Sequence, residues 1–111
     1  MINFGKNNTS GSVKELKEGR IKLTKDYIVN NPCLVEKVIK GVDIENNAVY
    51  FTLLVTTPNN EKGYVYAPYT ANEMLEAVED TDFVNSDVLV YMESKVSKKG
   101  RNYYIMWFEK L

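Results

Sequence analysis

The chain has 111 residues, 44% of them hydrophobic and 26% charged, a globular balance that excludes disorder, collagen-like repeats and coiled coils. Histidine is absent and Cys33 is the only cysteine. Ser-His-Asp and Cys-His triads, HExxH zinc hydrolases, cysteine metal clusters and an internal disulfide are thereby removed, and the cysteine usage fits a reducing cytoplasm.

No stretch approaches the roughly 20 apolar residues of a membrane span, and the first thirty residues lack a signal-peptide core. The expectation is a cytoplasmic protein with no membrane partner. The net charge of −1 conceals an uneven distribution. Met1 to Gly41 carries +4, Val42 to Glu93 carries −9 with Lys62 its only cation, and Ser94 to Leu111 carries +4 again. Two basic terminal segments around an acidic middle can either build a basic face or neutralise one another across the fold.

Met1–Gly11 is polar and aperiodic and reads as a flexible leader. Its Gly5-Lys6 is no phosphate loop, because GxxxxGK[ST] is missing. Ser12–Gly19 predicts one or two helical turns, with Ser12 and Glu15 at capping-box spacing and Gly19 as the stop. Residues 1–19 are therefore set apart from a single domain spanning 20–111.

From Arg20 the pattern is β. Ile21 and Leu23 alternate with Lys22 and Thr24, and Asn30-Asn31-Pro32 is a turn. Cys33–Ile44 is a long strand interrupted by Gly41, where a bulge or bend is expected. Ala48–Thr57 is the strongest strand, with Val49, Phe51, Leu53 and Val55 facing the core and Tyr50, Thr52, Leu54 and Thr56 facing out. Pro58–Gly63 closes a hairpin onto Tyr64–Ala67.

Thr70-Ala71-Asn72-Glu73 reads as a capping box that starts a helix with Ala71, Met74, Leu75 and Val78 on one stripe. Asp80–Ser86 is a loop. Asp87–Val96 and Asn102–Glu109 form a second hairpin around Ser97–Arg101. The last strand is apolar on both faces, so Trp107 is expected in the core.

Five strands with one helix between the third and fourth is the order of a five-stranded Greek-key barrel, the OB-fold. Together with the basic hairpin Lys95, Lys98, Lys99, Gly100, Arg101 running into Tyr103-Tyr104-Ile105, this order over Cys33–Lys110 resembles the small single-stranded DNA-binding proteins of bacteria and phages. The resemblance implies stoichiometric coating of single-stranded DNA, RNA being the other candidate, in a phage or mobile-element setting and hence in the host cytoplasm. Many bacterial members end in an acidic partner-recruiting tail; this sequence ends Glu109-Lys110-Leu111.

Single-strand binding without sequence preference needs open aromatic faces and cations along the phosphates. Tyr50, Tyr64 and Tyr66 share one expected face, and Lys62 stands at their hairpin. Lys95, Lys98, Lys99 and Arg101 at the second hairpin, followed by Tyr103, supply further cations beside an aromatic. The plainer alternatives are half-buried sheet tyrosines and a solvated turn that protects a sheet edge.

Glu73, Glu76, Glu79, Asp80 and Asp82 lack calcium-loop spacing and read as a wet helix face. Cys33 reads as a small buried hydrophobe. No catalytic residue, metal ligand or cofactor motif stands out, so an enzyme is not expected. The competing function is a protein-interaction module, such as a phage inhibitor of a host protein, that docks through the acidic middle segment. Assembly of several copies through the edge near Ile21–Leu23 is compatible with either.

Overall fold

The computed structural model describes residues 17–83 and 87–111. It is mainly β, a six-stranded sheet curled into a half-barrel. In chain order the elements are β1 (Ile21–Lys22), α1 (Lys25–Asn30), β2 (Cys33–Asp43), β3 (Ala48–Thr56), β4 (Lys62–Tyr66), a 3-10 turn (Tyr69–Ala71) leading into α2 (Asn72–Glu76), a second 3-10 turn (Asp80–Phe83), β5 (Val88–Val96) and β6 (Asn102–Lys110).

Across the sheet the order is β1-β4-β3-β2-β5-β6. All neighbours are antiparallel except β1 with β4. The long β2 serves two partners, with Leu34 opposite Thr56 of β3 and Leu89 of β5. Its register slips between Val35 and Lys37, which makes Glu36 a bulged residue and bends the strand.

The sequence expectation of a bend at Gly41 is thus corrected. The bulge lies at Glu36, and Gly41 serves a close approach. A Cβ at Gly41 would fall within 2.7 Å of the Tyr50 ring on the neighbouring strand, so only glycine leaves room for that ring. The β3–β4 and β5–β6 hairpin turns are the same device. Thr57 N–H donates to Glu61 O (2.8 Å) and Ser97 N–H to Arg101 O (2.8 Å), and each turn has one left-handed residue, Asn60 (φ 67°) or Gly100 (φ 80°).

The strand count and the helix placement differ from expectation. A sixth strand, β1, adds to the free edge of β4, so β4 and β6 do not pair and the sheet stays open there. A helix that the sequence reading missed, α1, precedes β2 and is capped by the Thr24 hydroxyl, which accepts from Tyr27 N–H. It drives Ile28, fully buried, into the core and packs chiefly on β5.

The helix expected over Thr70–Val78 is shorter, and its capping box does not form. Thr70 donates instead to the carbonyl of Tyr104 in β6, and the helix start has no side-chain cap. Ala71 and Leu75 are buried, as the stripe requires, but Met74 is exposed. Within the expected loop, Asp80–Phe83 forms a turn that buries Phe83 edge-on to Phe108 (centroids 5.5 Å). The expected leader and most of the Ser12–Gly19 helix lie outside the described residues.

The core lies on the concave side and holds Ile28, Cys33, Val35, Phe51, Leu53, Val55, Val65, Leu75, Val90 and Met92. Burial pushes the Cys33 thiol up to about 11, as suits a small core residue. Among the described residues, no helix is long and apolar enough to cross a membrane.

Candidate nucleic-acid interface

The outer face of β3 and β4 carries the expected tyrosines, and the alternation that buries Phe51, Leu53 and Val65 places Tyr50, Tyr64 and Tyr66 opposite them. They form a chain of edge contacts: Tyr50 to Tyr66 at 6.1 Å and 72°, and Tyr64 to Tyr66 at 6.0 Å and 79°. All three are half-buried. The other three residues expected to face out are buried: Thr56 bonds to Glu36, and Thr52 and Leu54 are fully covered. In register they lie between Ile39 and Lys37 of β2 on one side and Tyr66 and Tyr64 of β4 on the other.

Two cations sit on this surface that the sequence reading did not assign to it. The Lys17 ammonium lies 4.7 Å from the Tyr66 centroid and 5.1 Å from that of Tyr64, and donates to the Tyr66 hydroxyl (2.7 Å). The Lys22 ammonium lies 5.4 Å from the Tyr66 centroid. All three distances are in cation–π range. The parallel docking of β1 on β4, with Lys22 opposite Tyr64, brings them there. The Lys22 side of the Ile21–Thr24 alternation was the only sequence signal for this placement.

Lys62, expected to reach a phosphate, is engaged within the protein. Its ammonium meets Glu36 Oε2 (3.0 Å) and Thr56 Oγ1 (3.1 Å). The same carboxylate takes a forked pair from Arg20 (2.8 and 3.4 Å) and a bond from the Thr56 hydroxyl (2.6 Å). The Arg20 guanidinium further donates to the carbonyls of Val55 and Gly63. Hydrogen bonding from Arg20, then Thr56 and Lys62, holds the Glu36 carboxyl down at about 2 against a smaller opposing effect of burial.

Between β1, α1, β4 and β6 the open edge of the half-barrel leaves a cleft of about 300 Å³, lined by Lys22, Leu23, Thr24, Lys25, Asp26, Val65, Tyr66 and Tyr104. The Tyr104 hydroxyl donates to Asp26 Oδ1 (2.5 Å), and that carboxylate raises the tyrosine's pKa.

The second cationic group stands apart from the trio, since β2 separates β3 and β4 from the β5–β6 hairpin. Lys95, Lys98, Lys99 and Arg101 are all exposed at its tip, with Lys95 near Glu93 (3.5 Å). Tyr103 is half-buried opposite Lys95 on the outer face. Trp107, expected in the core, is instead half-buried on that face and stacks on its cross-strand partner Tyr91 (5.6 Å, 8°), with its indole N–H donating to Glu109. The sheet is one layer deep here, so only the Met92–Met106 side reaches the core.

Among the described residues no group of Cys, Asp or Glu side chains converges to hold a metal ion. The acidic segment is partly used in structure: Glu76 pairs with Lys40 (2.9 Å) and Asp82 accepts from Glu79 N–H (2.9 Å). Comparison with protein-family models, curated proteins and solved structures finds no match.

Proposed function

We propose that the chain binds single-stranded nucleic acid, most simply single-stranded DNA, and acts by coating the strand rather than by catalysis. The observation that carries this reading is the tyrosine chain Tyr50–Tyr66–Tyr64 on the outer sheet face with the ammonium groups of Lys17 and Lys22 over it. Rings offer stacking worth about 1–3 kcal/mol per base, and adjacent lysines attract the phosphates between bases. Among the described residues neither lysine has a carboxylate within ion-pair distance, and the same holds for Lys98, Lys99 and Arg101.

The strand pairings support an OB-type reading of the half-barrel. β2, β3 and β4 form a meander, β2 also meets β5, and β5 meets β6. The closing pair of such a barrel would join β4 to β6; here β1 takes that edge of β4. The tyrosines lie on β3 and β4, the second and third strands of that barrel, a face that OB-folds use for oligonucleotides.

A protein-docking reading draws on Glu73, Glu79, Asp80 and Asp82, all exposed around α2 and the following turn. The two readings separate in one titration of the protein into fluorescent oligo-dT and a duplex of equal length, read by anisotropy at low and moderate salt. Coating predicts binding to the single strand that weakens with salt, with little affinity for the duplex. No binding to oligo-dT at low salt refutes it and leaves the acidic segment as the better candidate.

A further inference from the structure

Among the described residues, Thr52 Oγ1 is the one buried side-chain polar atom without a hydrogen-bond partner. The residue is fully buried. An orphaned hydroxyl is a standing cost that a valine of the same shape would avoid, and buried polar groups are otherwise almost always paired. The other two buried threonines follow that rule. Thr56 donates to Glu36, and Thr57 Oγ1 accepts from Glu61 N–H.

The location of the exception points to a ligand. Thr52 shares the outer face of β3 with Tyr50 and lies opposite Tyr66 in register. The Tyr50 ring lies against Gly41 of β2, and its centroid is 6.1 Å from that of Tyr66 on β4. That contact is an edge-on aromatic one, and no hydrogen bond joins the two side chains among the described residues. Parting them means turning two side chains, with Tyr66 also carrying the Lys17 ammonium on its hydroxyl, and Thr52 on the same strand face holds an unsatisfied donor and acceptor.

We propose that Thr52 is a base-contacting residue: an unpaired nucleobase enters between Tyr50 and Tyr66, stacks there, and takes the hydrogen bond that the Thr52 hydroxyl lacks in the free protein. The inference rests on the nucleic-acid reading above and adds a specific subsite to it. A hydroxyl can donate or accept, so every base offers it a partner and the subsite suits a sequence-tolerant binder. The cost carried by the free protein is then recovered on binding, which is the pattern expected of a functional polar group in an otherwise apolar position.

The test uses T52V and T52S in the full chain, with thermal melting and anisotropy titrations against oligo-dT and an abasic strand of equal length. T52V should melt higher than wild type, bind oligo-dT about three- to tenfold more weakly, and bind the abasic strand unchanged. T52S keeps the hydroxyl and should bind oligo-dT within about twofold of wild type. Wild-type affinity of T52V for oligo-dT overturns the proposal. So does an equal loss in T52S, which would make shape the cause, and so does a T52V that melts lower or fails to fold, which would show that the hydroxyl is not an uncompensated group. If wild type binds neither strand, the nucleic-acid reading itself falls and this subsite with it.

Discussion

The Glu36 carboxylate ties three parts of the outer face together, and replacing it with glutamine keeps its shape while removing its charge. Arg20 and Lys62 both lose an ion pair, at 2.8 and 3.0 Å, while Arg20 keeps its bonds to the Val55 and Gly63 carbonyls. Lowering the Glu36 carboxyl from its ordinary 4.5 to about 2 corresponds to a ceiling of about 3 kcal/mol. The Glu36 side chain is 31% accessible and that of Arg20 15%. Solvent screening at such a site reduces the expected loss in E36Q to about 1–2 kcal/mol. Because the folded-state value is depressed, this stability is present above pH 4.5 and is lost as pH falls toward 2. Urea unfolding followed by Trp107 fluorescence at pH 7, 4 and 2.5 should therefore show a midpoint gap between wild type and E36Q that narrows with acidification, at constant slope. An equal gap at pH 7 and 2.5, or none at pH 7, would refute the reasoning.

Three further outcomes follow from the packing and the charges. G41A should destabilise by about 1–3 kcal/mol because the new methyl meets the Tyr50 ring, and adding Y50A should restore most of the loss in a double-mutant cycle. I28A should cost about 2–5 kcal/mol in chemical denaturation, since Ile28 is the fully buried anchor of α1. Replacing Lys98, Lys99 and Arg101 together with alanine should lower the salt dependence of oligo-dT binding by about 2 in log–log slope if all three contact phosphates; an unchanged slope would take the hairpin tip out of the site.

Strong local patterns were legible in the sequence. The alternation in Ala48–Thr56 placed Phe51, Leu53 and Val55 in the core and Tyr50 on the opposite face, the hairpin around Ser97–Arg101 formed, and Tyr50, Tyr64 and Tyr66 came together. What escaped depended on contacts distant in sequence. Thr70 was matched to a local capping box, but the Tyr104 carbonyl competes for its hydroxyl across 34 residues. The Lys25–Asn30 helix has six residues, too few for a periodic stripe, and is held by the tertiary burial of Ile28.

Gly41 signalled a special backbone position, yet a close-packed ring and a bend leave the same mark in a sequence. Lys17 and Lys22 joined the tyrosines only because β1 docks in parallel on β4, a pairing that no local pattern encodes. Thr52 and Leu54 looked solvent-facing because a period of two describes one strand; their burial comes from the side chains of β2 and β4 on either side.

The central claim is that a single strand lies on the tyrosine face, and amide chemical-shift mapping during titration with oligo-dT tests it most directly. The account predicts perturbations concentrated at Lys17–Leu23, Gly41, Tyr50–Leu54 and Tyr64–Tyr66, with little change across Glu73–Asp82. Shifts centred on Glu73–Asp82, or none at saturating oligonucleotide, would contradict it.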